Sequence, residues 1–376
     1  MSKYEDFDLA YVTIDSLSEG VGSSQISPLI SLLSKSGLKI KLISYEKLNP
    51  SVKLRDYFDS IGVDWDFRPF GSHGLIGGLE RLIDLRTWIP NARLIHARSD
   101  IPAVSAITSH QGPVLWDVRS LWADQKIVIQ KNILNKTLYK SYRKLEKISA
   151  HKSLGMSTLT SAVVPILERR NGRLPMMRTV VSTAVDLDRF QLTNKMPSLL
   201  RALFSGTYND YYDLNLSSIF MEELRRQIQV ETHWARPFES SKSYLGVGEE
   251  EILFVPQNEI AKLIPNYSFG VSICKLNAGP SLTAAMPTKI GEFLACGRPV
   301  VVNRGLGDMD KFIAESKVGV TLSGGPGNAR DAATELIELV SDPETPSRCR
   351  AIAEKYFSMD IGAQKYLDLY ARMLTN

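Results

Sequence analysis

Lys289 and Glu292 stand three residues apart in the run Pro287-Thr288-Lys289-Ile290-Gly291-Glu292-Phe293-Leu294-Ala295-Cys296-Gly297-Arg298-Pro299-Val300. On a helix that spacing puts both side chains on one face. Thr288 is the expected N-cap, Gly297 the expected terminator and Pro299 the start of a strand, so the pair falls near the amino end of the helix. Free N–H groups and a positive dipole at that end suit a diphosphate, Lys289 adds charge, and Glu292 can accept from ribose hydroxyls. The same spacing also describes a solvated Lys/Glu pair, worth about 0.3–0.5 kcal/mol.

Other residues could serve the same chemistry. Gly20-Val21-Gly22-Ser23-Ser24-Gln25 follows an apolar run and opens a helical pattern, so the backbone at Gly22, Ser23 and Ser24 can approach an anion or a sugar closely. A dinucleotide fingerprint, with Glu46 as its ribose acid, is weakened by Gln25 in place of the third glycine. A tight strand-to-helix turn explains the same residues. His96 and Arg98 follow Leu94-Ile95, and Asp117 and Arg119 follow Val114-Leu115-Trp116. Strand carboxyl ends are where an α/β sheet puts its ligand groups. A hydrogen-bonded structural histidine and an internal Asp/Arg ion pair are the alternatives. Lys275, ending an apolar run from Phe269, is a further candidate for diphosphate charge or a solvated lysine. Four Asp-x-Asp triplets (Asp6/Asp8, Asp64/Asp66, Asp186/Asp188, Asp308/Asp310) sit in unrelated contexts, which shows how cheap the pattern is. With a helix dipole and Lys289 to neutralise a diphosphate, no metal is required.

The elements that must hold these residues alternate. Strand-length apolar runs at Leu9 to Ile14, Leu38 to Tyr45, Leu94 to His96, Val114 to Val118 and Ser157 to Leu159 are separated by helical patterns, which predicts a parallel, helix-covered sheet. A polar stretch around Pro197 follows Val180 to Phe190, and the pattern restarts at Arg201 to Ser205. Strands at Ile252 to Val255, Phe269 to Cys274 and Pro299 to Asn303 come next, with helices near Leu214 to Ile228, at Glu259 to Leu263 and from Thr288. The expected fold is α/β, two doubly wound Rossmann-like domains facing across a cleft, residues 1–185 and 186–360, with 361–376 a helix crossing back to the first.

At 376 residues the chain is long enough for two cores. Its net charge of +4 is far below that of a dedicated nucleic-acid binder. Three widely spaced cysteines, Cys274, Cys296 and Cys349, suit neither a disulfide framework nor a zinc site and point to a reducing compartment. The polar amino terminus and the lack of an apolar run of about 18 residues argue against a secretory signal and a membrane span, so a cytoplasmic location is expected. Between Lys126 and Lys152, seven lysines and Arg143 against Glu146 alone give a net charge of +7, with apolar residues interleaved. Such a stretch suits the anionic inner face of a membrane; a solvated helix packed on the sheet is the alternative.

The run PTKIGEFLACGRPVVVN, followed by Gly305-Leu306-Gly307-Asp308 and Val318-Gly319-Val320, resembles the donor-site segment of the family 4 type of retaining, nucleotide-sugar-dependent glycosyltransferases of GT-B fold. The Glu19 to Gln25 loop, LIHARSD, WDVRSLWADQ and VVSTAVDLDRF extend the resemblance in order along the chain, and Phe204-Ser205-Gly206-Thr207-Tyr208 resembles the glycine loop that opens the second domain. The resemblance implies a donor site of Gly206, Thr207, Pro287, Thr288, Lys289 and Glu292, to which the strand-end Lys275 is added as a candidate. Asp117, Arg119 and Lys289 would be the catalytic groups, and Gly22, Ser23, Ser24, His96 and Arg98 the acceptor or phosphate side. The implied substrates are a UDP- or GDP-type sugar and a glycan or glycolipid acceptor, with no cofactor and no nucleic acid. One departure stands out: many members carry a sugar-contacting glutamate eight residues before the ribose glutamate, and this chain has Ala284 there. A GT-B-shaped protein that binds without turnover and a nucleotide-sugar epimerase are the rival readings.

Overall fold

The computed structural model describes residues 7–109, 112–129, 133–207, 209–236 and 250–375. The chain forms two compact units, the first of Met1–Ala123, Asn132–Val181 and Met359–Asn376, the second of Asp124–Lys131 and Ser182–Ser358.

The sheet of unit 1 has seven strands among the described residues: β1 (Phe7–Val12), β2 (Ile40–Glu46), β3 (Val63–Pro69), β4 (Ala92–Arg98), β5 (Val114–Val118), β6 (Gly155–Thr158) and β7 (Met177–Val180). Their order is β3-β2-β1-β4-β5-β6-β7, and every pairing is parallel. The connecting helices are α1 (Ser27–Lys35), α2 (Val52–Ser60), α3 (Gly74–Trp88), α4 (Asp100–Ser109), α5 (Trp122–Ile129, counted with unit 2 from Asp124 on), α6 (Ile133–Lys152) and α7 (Val164–Asn171). Strands covered on both faces need apolar residues at nearly every position, and the fully buried Val-Leu-Trp-Asp-Val of β5 shows it.

Unit 2 repeats the plan with β8 (Leu200–Ser205), β9 (Val230–Arg236), β10 (Glu250–Phe254), β11 (Phe269–Ser272), β12 (Val300–Asn303) and β13 (Gly319–Leu322), in the order β10-β9-β8-β11-β12-β13, again all parallel. Its helices are α8 (Leu214–Arg225), α9 (Ile260–Leu263), α10 (Pro280–Thr283), α11 (Thr288–Ala295), α12 (Met309–Ser316), α13 (Pro326–Ser341) and α14 (Thr345–Ile352). Phe204, Phe220, Phe269, Val301 and Leu336 anchor its core. A last helix, α15 (Met359–Leu374), belongs to unit 1 and packs on β7 and α1. Both units are Rossmann-like. No helix among the described residues is long and apolar enough to cross a membrane.

Several boundaries differ from those expected. β4 runs on through Arg98, because parallel pairing continues as far as the Arg98–Asp117 register; His96 and Arg98 are therefore strand residues. β11 stops at Ser272, which leaves Lys275 in the loop before a short 3-10 turn. The N-cap position of α11 is taken by Pro287, in extended conformation, and Thr288 becomes the first helical residue with no capping hydrogen bond. Proline tolerates this boundary because it has no N–H to satisfy. Gly297, at φ +77°, does end the helix. The basic stretch Lys126 to Lys152 is divided between α5 and α6; Lys131 lies outside the described residues, as do Asp6 and Tyr208.

Candidate functional site

In unit 2 the site is built around the first turn of α11. The helix lies very close to β11: a Cβ on Gly270 would come within 2.1 Å of the Phe293 ring. The Asn303 carboxamide at the end of β12 accepts from the Cys274 N–H (2.7 Å), and the Lys275 N–H donates to the Tyr211 carbonyl (2.9 Å), so the loop after β11 is tied down. The glycine turn after β8 is fixed as well. Gly206, at φ +84°, donates to the Ala235 carbonyl (2.8 Å) and accepts from the Trp234 indole N–H (2.9 Å).

Lys289 is only 8% exposed, and its ammonium lies 4.3 Å from the centroid of the Tyr212 ring. A Cβ on Gly206 would be 4.0 Å from that nitrogen, so the structure brings Gly206 and Lys289 together. Burial pushes the Lys289 pKa down to about 8, against the opposing pull of Cys274 and Glu292. Burial likewise pushes the partly buried Glu292 carboxyl up to about 7, against Lys289 and Arg189. Among the described residues no hydrogen bond or ion pair occupies the Glu292 carboxylate, whose backbone carbonyl accepts from the Cys296 N–H. A charged ligand group beside Lys289 would restore its full charge. Thr288 sits at the helix start, whereas Lys275 is half-exposed and no side-chain bond among the described residues draws it into the group.

Unit 1 holds a second cluster, and strand register explains it. Tyr11 pairs with His96, Arg98 with Asp117, and Asp117 with Ser157 across β1, β4, β5 and β6. Asp117 is fully buried at the centre. It accepts from Ser157 (2.7 Å) and Tyr366 (3.2 Å) and lies 3.3 Å from His96 Nε2 and 3.6 Å from both Arg98 and Arg119. Burial alone would raise its carboxyl, but Arg119, then His96 and Arg98, hold it well below the usual range. It is thus an anchor of charge and a poor proton acceptor. Burial pushes His96 down, and its Nδ1 is 2.6 Å from the Tyr370 hydroxyl. Arg98 also donates to Asp15 (2.8 Å), and Arg119 to the Val181 carbonyl and Tyr366 hydroxyl (3.2 Å each).

The amino-terminal loop forms one π-turn at Gly22–Ile26, where a Cβ on Gly22 would come within 1.9 Å of the Ser16 carbonyl. Ser23 and Ser24 hydroxyls donate to the Gly20 carbonyl. The Glu46 carboxylate accepts from the Ser16, Ser18 and Ser44 hydroxyls and from the Leu17 and Ser18 N–H groups. It is saturated by its own chain, which removes the acid a dinucleotide ribose would need. The Asp-x-Asp residues have structural duties too: Asp186 closes a turn onto Asp188 and Arg189, Asp310 accepts from Gly305, and Asp64 pairs with Lys41.

Sequence reasoning missed Tyr212, Asn303, Arg298, Tyr366 and Tyr370. Arg298 is fully buried and donates to the Thr193, Lys195 and Pro265 carbonyls (3.0, 2.9 and 2.8 Å), which secures the segment entering unit 2. Its place between a helix terminator and a strand was the available signal. For Tyr366 and Tyr370, some 250 residues from their partners, there was none.

No family model and no curated protein matches the chain. Solved structures match its fold. Sucrose-phosphate synthase from Thermosynechococcus elongatus aligns over 98% of this chain and 99% of its own, with a TM-score of 0.72 and 11% identity. HepE from Anabaena, in complex with UDP and glucose, aligns over 97% and 99% at 0.64 and 11%. WaaG, a glycosyltransferase involved in lipopolysaccharide biosynthesis, aligns over 96% and 99% at 0.65 and 13%. Identities this low speak for the fold alone, and that fold is GT-B.

Proposed function

We propose that this protein is a glycosyltransferase of the family 4 type that moves a sugar, with retention and without a metal ion, from a UDP- or GDP-type donor to a hydroxyl of a glycan or glycolipid. The reading rests on one observation: Lys289, Glu292 and the Gly206 turn share one end of α11. Negative charge grows on the diphosphate as its bond to the sugar breaks. The N–H groups of the first turn and the Lys289 ammonium stabilise that charge more than the ground state, and one such donor is typically worth about 2.7–4 kcal/mol. Glu292 takes the ribose hydroxyls, with Thr288 and Thr207 beside the phosphates and Lys275 supplying longer-range charge. In unit 1, Asp117 holds Arg98 and Arg119 for the acceptor side, and the departing phosphate takes the acceptor proton. The UDP and glucose bound to HepE support a donor of this kind, and the lipopolysaccharide role of WaaG supports work in surface glycan synthesis; a place at the cytoplasmic face of the membrane is part of the same proposal.

Melting temperatures measured with a panel of nucleoside diphosphates test the donor site. One base is expected to stand out, and a panel with no stabilisation would sink the reading. Donor turnover in excess EDTA tests metal independence; complete loss restored by magnesium or manganese would overturn it. Binding without turnover has one observation in its favour, the buried Ala284 in place of the sugar-contacting glutamate. Nucleotide binding with no donor hydrolysis across many donors would establish that alternative.

A further inference from the structure

Unit 1 contains a cavity that none of these roles uses. Gly78 and Leu82 of α3, Ile101 of α4, Trp122 of α5, and Tyr142 and Leu145 of α6 line it, and its volume is about 160 Å³. The lining is almost wholly apolar, and one wall is stiffened by Trp122 packed edge-on against Tyr142 at 4.3 Å. An apolar cavity of about 150 Å³ accepts a molecule the size of benzene, so this one, open at one side, has room for about six carbons.

The surface around the cavity separates it from a packing defect. Ile76, Leu79 and Ile83 of α3 are 67%, 56% and 57% exposed, and their spacing puts them along one face. Leu79 also lines the cavity, so exposed apolar surface continues inward without a break. A contiguous apolar face of this kind marks a surface that meets something. Another wall, α6, adds charge: Lys140 and Lys144 are exposed and flank the exposed lining residue Ser141, one before it and one a turn after it. Glu146, the one acid in α6, is buried against Arg143, Arg170 and Asn171 and leaves those lysines uncompensated.

We propose that the cavity takes a segment of the hydrocarbon chain of an anionic lipid, with the lipid's charged head at Lys140 and Lys144. α4 begins two residues beyond Arg98, and Trp122 is three residues beyond Arg119, so the cavity adjoins the elements that carry the charge cluster. That the lipid is the sugar acceptor rests on the transferase reading; the chain site does not.

Calorimetric titration of the full chain with inorganic phosphate and n-alkyl phosphates, all monomeric, tests the site. Affinity should rise about fourfold per methylene up to about six carbons and then flatten. Gly78→Leu should abolish the rise, because the nearest atom to a Cβ there is Ile101 Cδ1 at 3.6 Å and the longer side chain enters the cavity. Leu145→Phe plugs it from the other wall, in case the first variant does not fold. Affinity that stays at the phosphate level for every chain length overturns the proposal, as does a chain-length rise that survives either folded plug. Nucleotide binding without the rise would defeat the lipid site and leave the transferase reading standing; the rise without nucleotide binding would do the reverse.

Discussion

Lys289 is held in a state that a ligand can change. Its pKa of about 8 means that part of its charge is lost within the ordinary working range, and burial is the cause. Nucleoside diphosphate affinity should therefore be greatest between about pH 7, below which Glu292 loses the charge that accepts the ribose hydroxyls, and about pH 8, and should fall by at most about tenfold per unit above that, since only the charged amine attracts the anion. Stability without nucleotide should move the other way. A lysine with a folded pKa below its unfolded value of 10.5 destabilises the fold while charged, and that penalty is relieved as pH rises from about 8 towards 10.5. Parallel calorimetry and melting curves check both signs, and Lys289→Met should flatten both. Glu292→Ala removes a charged acceptor from the ribose and should weaken the preferred nucleoside diphosphate by about 1.5–3 kcal/mol. An unchanged dissociation constant would remove Glu292 from the site.

At the level of elements, the distance between β11 and α11 decides where those groups sit. Gly270→Ala forces the Phe293 ring or the whole helix to move, so it should destabilise by about 1–3 kcal/mol and weaken nucleotide binding together with it. Phe293→Leu in the same chain should recover part of both losses, because neighbours in contact are not additive. Elements of this kind were partly legible. The apolar runs that became β1, β2, β5, β8 and β12 announced themselves, being buried on both faces. β3 and β9 did not: Val-Asp-Trp-Asp-Phe-Arg-Pro lies at a sheet edge, half exposed, and Val-Glu-Thr-His-Trp-Ala-Arg alternates polar residues with buried ones. The Lys289/Glu292 face could be read from spacing, and the nearness of Asp117 and Arg119 from their place at the end of an apolar run. The hydrogen bonds that tie Asp117 and His96 to Tyr366 and Tyr370 depend on tertiary packing, which local periodicity does not encode.

Across the whole molecule, a net charge of +4 conceals a strongly basic helix in unit 1. Replacing Lys140, Lys144 and Lys147 by Gln should weaken sedimentation with anionic vesicles by about 3 kcal/mol at moderate salt, at about 1 kcal/mol per lysine, while nucleotide binding in unit 2 persists. Equal sedimentation of wild type and variant, both folded, would show those lysines to be solvated only. The return of Met359–Asn376 to unit 1 has a consequence in time. A ribosome adding about 5–20 residues per second needs about 10–40 s to go from the last strand of the first sheet to α15. For that interval all seven strands of that sheet exist while His96 and Asp117 lack the hydroxyls of Tyr370 and Tyr366. Unit 1 is therefore the first to be made and the last to be completed, and a nascent chain stalled before α15 should show protease-sensitive unit 1 beside a finished unit 2.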